Sequence, residues 1–187
     1  MDSKSNVCDY KGYDYKSDYW GNDVRKYEDL CEKRTLRTLL KPVVRKDGRL
    51  LDAGCGFGRL IPSYHDLVGS VACMDYATNM LDGAKKSSEP YSNTIFSFVQ
   101  GDFYSIPLKD ASQSVVVTVR TIHHVDKPEK FFNEVSRILD KNGHFLIEIS
   151  NKRHILHIIR WILRKTRVSP FTYERLELGD HFYNYHF

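Results

Sequence analysis

The stretch Leu50-Leu51-Asp52-Ala53-Gly54-Cys55-Gly56-Phe57-Gly58-Arg59-Leu60 decides the fold. Residues 49–53 read as a short apolar strand closed by the glycine cluster, and residues 60–67 read as a helix that tolerates Pro62 in its first turn. Glycines at such a junction let the backbone turn sharply and approach a ligand with no Cβ in the way. A dinucleotide site expects G-x-G-x-x-G/A, because a pyrophosphate must sit on the helix N-terminus. Gly54 and Gly56 fit that spacing, but Arg59 stands at the third position, and the glycines run G-x-G-x-G with Asp52 two residues ahead. No G-K-[ST] follows, which excludes a P-loop.

Working outward, strand and helix patterns alternate. Upstream, residues 25–41 read as a helix with Tyr27, Leu30, Cys31, Leu36, Leu39 and Leu40 on its apolar stripe. Pro42 and Lys46-Asp47-Gly48 end it. Downstream, residues 70–75, 95–99, 115–119 and 144–149 read as strands, and residues 78–86 and 128–139 as helices. Thr78 is the expected N-cap of the first of these helices, and Asn142-Gly143 the expected stop of the second. The near-pure valine run at 115–119 is the kind buried on both faces of a parallel sheet. Alternating strands and helices imply right-handed βαβ units. The expected fold is therefore α/β: a doubly wound, Rossmann-like three-layer sandwich with a mainly parallel sheet.

Composition bounds the alternatives. The chain has 187 residues, 41% hydrophobic and 28% charged, which suits one folded domain rather than a disordered chain. No apolar run reaches the roughly 18 residues of a membrane span, and Met1–Asn6 lacks the apolar stretch of a secretory signal. Cys8, Cys31, Cys55 and Cys73 form no C-x-x-C pair, so neither a disulfide framework nor a zinc-finger-type metal site is expected, and a cytoplasmic location is. Residues 1–150 carry 21 Lys and Arg against 21 Asp and Glu, whereas residues 151–187 carry 7 against 3. All the excess positive charge falls in the last fifth of the chain.

Three strand ends share one chemistry. Asp75 closes the second strand, 23 residues after Asp52, where a carboxylate can accept both hydroxyls of a ribose. Gly101-Asp102-Phe103 closes the third: Asp102 can accept from an adenine amino group and Phe103 can lie against the ring. Together with the glycine loop they converge on a nucleoside and require no phosphate site.

These segments resemble the class I S-adenosylmethionine (SAM)-dependent methyltransferases, of the methyltransferase type 11 family. The matching stretches are 50–60 (D-x-G-x-G-x-G), 72–81, VQGDFYSIPL at 99–108, VTVRTIHHV at 117–125 and EVSRILDKNGHFLI at 134–147, within residues 49–150. The resemblance implies that Ala53, Gly54 and Gly56 pass under the methionine part of SAM, with Asp52 near its amino group. It implies that Asp75 holds the ribose, that Tyr76 and Met80 pack on the adenine, and that Asp102 and Phe103 address its edge. Arg120 would sit beside the sulfonium end, mainly through its backbone. A capping N-terminal segment would make Tyr19, Trp20 and Arg25 a lid, with Arg25 facing the SAM carboxylate. The expected division is residues 1–24 as an arm or lid, 25–150 as the SAM-binding core, and 151–187 as a basic amphipathic helix with an aromatic tail.

Against that family's pattern, the sequence is expected to lack the sixth and seventh strands. An uncovered edge beside the fifth strand would invite a homodimer. The helix at 152–167 places Ile155, Ile158, Ile159 and Ile162 on one face beside six Lys and Arg with no acid, which suits an anionic membrane surface or nucleic-acid phosphates. His123 and His124, just after the fourth strand, are the candidate catalytic bases. No N/D-P-P-Y/F/W and no Pro-Cys follows that strand, which disfavours adenine or glutamine amino methylation and cytosine C5 chemistry. The expected function is methyl transfer from SAM to a small-molecule acceptor, apolar or aromatic. The alternatives are an RNA methyltransferase and a SAM-binding relative without turnover.

Overall fold

The computed structural model describes residues 16–21, 25–149, 151, 153–167, 169–171, 176–177 and 183–184. A five-stranded parallel sheet runs in the order β3 (Ile95–Gln100), β2 (Ser70–Asp75), β1 (Arg49–Ala53), β4 (Gln113–Thr118), β5 (Leu139–Ile147). The expected Rossmann-like architecture is present. The order reverses direction between β1 and β4, and an open α/β sheet of this kind binds ligands at that reversal.

Alternation along the strands builds two cores. Leu50, Val115 and Val117 point to one face, against Leu36 and Leu40 of α1 (Lys26–Leu40), Ile61 and Tyr64 of α2 (Ile61–Tyr64), and Leu81 and Ala84 of α3 (Thr78–Ser88). Leu51, Ala53 and Val116 point to the other, against Phe131, Val135 and Ile138 of α4 (Pro128–Ile138). Val115, Val116 and Val117 are fully buried, as a central strand covered on both faces requires.

Several local expectations are corrected. In α1 only Leu36 and Leu40 of the expected stripe are buried; Tyr27, Leu30 and Leu39 are exposed. The row facing the protein is Glu28, Glu32, Leu36, Leu40, spaced by four, because the first half of the helix turns acids toward two arginines described below. The expected helix at 60–67 condenses to the single turn of α2. Ala77, not Thr78, is the N-cap residue of α3, with no side-chain cap. The chain enters β5 directly at Leu139, so Asn142-Gly143 lies inside the strand, where a register shift takes up the extra residues.

The main sheet contains no sixth or seventh strand among the described residues, and β5 forms one of its edges. A separate two-residue antiparallel pair, β6 (Leu176–Glu177) and β7 (Tyr183–Asn184), is present, and β7 lies near the 3-10 turn Ile122–His124. Helix α5 (Ile155–Ile162) is shorter than the expected 152–167 and follows β5. No described helix is long and apolar enough to cross a membrane. The other residues of the expected arm and of the aromatic tail lie outside the described residues.

Candidate functional site

A cleft opens at the carboxyl ends of the strands, at the reversal point. The glycine loop after β1 supplies Gly54, Cys55, Gly56 and Phe57, and β2 and α3 supply Asp75, Tyr76 and Met80. The turn after β3 supplies Gly101, Asp102, Phe103 and Tyr104, and the segment after β4 supplies Val119, Arg120, Thr121 and His124.

Three glycines of the loop, Gly54, Gly56 and Gly58, have positive φ, and the first two line the cleft. Gly54 has φ +82°, and a Cβ there would meet the Thr121 side chain at 2.6 Å. Gly56 has φ +53°, and the space where its Cβ would stand is open to 4 Å. Backbone packs tightly at the first position, and room for a ligand is left at the second.

Asp75 ties the loop to β2. Its Oδ2 accepts the Gly56 N–H at 2.9 Å and its Oδ1 accepts the Ala77 N–H at 3.0 Å. Burial pushes this carboxyl above its ordinary range, against the opposing pull of these backbone donors. The Tyr76 backbone N–H also acts on it, and a carboxylate's roughly four lone-pair sites leave acceptor capacity for a further donor. Asp102 Oδ1 caps its own turn by accepting the Tyr104 N–H at 2.9 Å, and Phe103 is held by Phe131, ring centroids 4.9 Å apart. Tyr76, 38% exposed, forms a wall at the mouth.

Of the residues singled out from sequence, Gly54, Gly56, Asp75, Tyr76, Met80, Asp102, Phe103, Arg120 and His124 line this one cleft. Asp52 and Ala53 lie beneath it, both buried. Asp52 Oδ2 accepts the Tyr64 hydroxyl at 2.6 Å, and desolvation raises its pKa to about 6. Tyr19 and Arg25 stand outside the lining: the Arg25 guanidinium stacks 4.6 Å over the Tyr19 ring and lies 3.7 Å from Glu28. His123 contacts His124, ring centroids 4.1 Å apart, and is outside the lining. Desolvation, with lesser contributions from His124 and Arg120, lowers the His123 pKa to about 4.

Sequence reading missed an ionic cluster at the β1–β4 end of the cleft. Arg59 donates to Asp29 at 2.7 Å and to Glu32 at 2.6 Å. Arg120 donates to Glu32 through Nε at 2.7 Å and also pairs with Glu28. Burial alone would weaken the Arg120 charge, but its hydrogen bond to Glu32 and the two nearby carboxylates more than offset it. Arg120 has φ +57°, a left-handed backbone that costs a non-glycine residue about 1 kcal/mol or more. The Trp20 ring, from the π-helical turn Lys16–Trp20, lies 3.9 Å from the Arg59 guanidinium and 5.2 Å from that of Arg120.

Two polar atoms beside this cluster are buried without a hydrogen-bond partner among the described residues: the Trp20 Nε1–H and Glu148 Oε2, just beyond β5. Desolvation and the neighbouring Glu32 raise the Glu148 pKa. The signals for this cluster were Arg59 directly after the third glycine, and acids at 28 and 32 one helical turn apart.

Glycine loop, strand-end acids and aromatic walls meet at the switch point of a parallel sheet, the place where open α/β folds bind ligands. A family model described as a methyltransferase domain matches residues 51–147, just over half of the chain, and the protein belongs to the class I SAM-dependent methyltransferases. Members of this family use SAM. The chain is 28% identical over 118 residues to a demethylmenaquinone methyltransferase of Chlamydia felis, covering 60% of this chain and 50% of that one. It is 24% identical over 144 residues to a mitochondrial ubiquinone biosynthesis O-methyltransferase of Schizosaccharomyces pombe, covering 73% and 52%. The crystal structure of the YcgJ protein from Bacillus subtilis shares the fold, with a TM-score of 0.60 at 21% identity over 82% of this chain and 62% of that one. The chain spans about half the length of the curated relatives it matches.

Proposed function

We propose that the cleft binds SAM and that the protein transfers its methyl group to a small apolar or aromatic acceptor. The order of groups across the sheet edge carries this reading: Asp102 and Phe103 after β3, Asp75, Tyr76 and Met80 after β2, Gly54–Gly56 after β1, and Arg120 after β4. Adenine edge, ribose, methionine stem and charged end of one extended molecule match that order. Asp75 keeps acceptor capacity for a hydroxyl, and Gly56 leaves open space for the stem. Arg59, Arg120 and the unpartnered Trp20 Nε1–H offer donors to a carboxylate.

SAM supplies a methyl group on a cationic sulfonium whose thioether leaves neutral, so no acid is needed for the leaving group. The chain's own task is to fix the geometry, since positioning alone can supply about 7–11 kcal/mol. His124 lines the cleft and is the proposed base for a hydroxyl or acidic carbon; a positioned base contributes roughly 10²–10⁴-fold. The names of the two relatives above support a quinone-type acceptor.

Incubation with methyl-labelled SAM and a cell extract, then separation into organic-soluble, RNA and protein fractions, tests this reading. Label is expected in the organic-soluble fraction and lost in His124→Ala. Label in RNA overturns the acceptor class, and SAM binding with no label in any fraction overturns the catalytic reading.

A further inference from the structure

Helix α5 carries an apolar row that is largely exposed among the described residues. None of its residues is buried. Ile155, Leu156, Ile159 and Ile162, with Leu163 just beyond, are 43–65% exposed. Their spacing places them along one side of the helix. Trp161 stands edge-on to Phe171, 5.7 Å between centroids, and Phe171 is itself 56% exposed. Arg153, Arg160, Arg164, Lys165 and Arg167 are all exposed around this row, and the sequence has no acid from 149 to 173.

We propose that α5 docks on an anionic lipid surface, with Ile155, Leu156, Ile159, Ile162 and Leu163 in the headgroup–acyl boundary and the neighbouring cations on lipid phosphates. An exposed aliphatic row flanked by exposed cations has the composition of an interfacial helix. Lipid fits better than RNA, because the forward residues are aliphatic, whereas single-stranded RNA is held by aromatic platforms and forward cations. Lipid also fits better than a second copy, because pairing two such rows would bring two acid-free basic segments together. The helix leaves the sheet from the carboxyl end of β5, the edge that carries the cleft. Docking would keep the cleft within a short length of chain from a lipid surface, where an apolar acceptor partitions. Only that delivery rests on the proposed methyl transfer; the docking does not.

Flotation with mixed phosphatidylglycerol–phosphatidylcholine vesicles, beside pure phosphatidylcholine vesicles, tests the proposal. The protein is expected to float with the anionic vesicles and to be released by salt. Binding should weaken by about fivefold for each cation removed in Arg160→Gln and Arg164→Gln, and by more than tenfold in the exposed-site pair Ile159→Glu/Ile162→Glu. S-adenosylhomocysteine binding and melting temperature, measured on the same variants, should match the wild type and so separate lost docking from lost folding. The proposal is overturned by absence of flotation, by flotation unchanged in Ile159→Glu/Ile162→Glu, by salt-steep binding to RNA without vesicle binding, or by a dimer that the same pair abolishes without vesicle binding.

Discussion

The Nε of Arg120 donates to Oε1 of Glu32 at 2.7 Å, joining residues 88 positions apart. The same Glu32 carboxylate accepts from Arg59 at 2.6 Å, so one side chain of α1 ties the glycine loop to the segment after β4. The Arg59, Glu32 and Arg120 side chains are 11%, 17% and 24% exposed, so solvent screens the cluster only in part. Removing one member of such a buried pair costs about 3 kcal/mol, because it strands the other charge. Glu32→Gln is expected to lower the melting temperature by roughly 6–12 °C. A melt within 2 °C or so of wild type would mean the cluster is solvated in solution.

Asp52 gives a stability slope with a definite sign. Its folded pKa is raised from 3.8 to about 6, so between those values the folded state holds a proton that the unfolded state has released. Stability therefore falls as pH rises from about 4 to about 6, by about 3 kcal/mol in all, and stays at the lower level above. Asp52→Asn keeps an acceptor for the Tyr64 hydroxyl and removes the charge. Its melting temperature should overtake the wild type's across that interval, the gap widening by roughly 6–12 °C. Parallel pH profiles for the two proteins would contradict this.

Trp20 separates ring from donor. Trp20→Phe retains a ring over Arg59 and deletes the partnerless Nε1–H, so the free protein should lose no stability. If that N–H meets the cofactor carboxylate, S-adenosylhomocysteine should bind about tenfold more weakly in the variant. Methylthioadenosine, which lacks the carboxylate, should be unaffected. Equal losses for both ligands would place the effect on the Lys16–Trp20 turn as a whole.

The parts of the fold legible in the sequence are those set by local pattern. β1 falls at residues 49–53 as read, because Asp47-Gly48 and the glycine cluster bracket an apolar run. The three valines of β4 announce a doubly covered strand, and the convergence of Asp75, Asp102 and Gly56 follows from strand ends. What escaped depends on tertiary partners. The inner face of α1 is chosen by Arg59 and Arg120, so Leu30 and Leu39, apolar by type, end up outside. The start of β5 is set by a register shift against β4 that no turn residue marks. Glu148 becomes notable only because the fold buries one of its oxygens beside Arg120, Arg59 and Glu32.

Calorimetric titration with S-adenosylhomocysteine, wild type beside Asp75→Ala, tests the cofactor site most directly. The carboxylate that accepts from Gly56 and Ala77 is the proposed ribose clamp, and each charge-assisted hydrogen bond lost is worth about 1.5–3 kcal/mol. Micromolar binding by the wild type, weakened about a hundredfold or more in a variant that still melts cooperatively, is the predicted result. Absence of binding to the folded wild type, or equal affinity in both proteins, would contradict it.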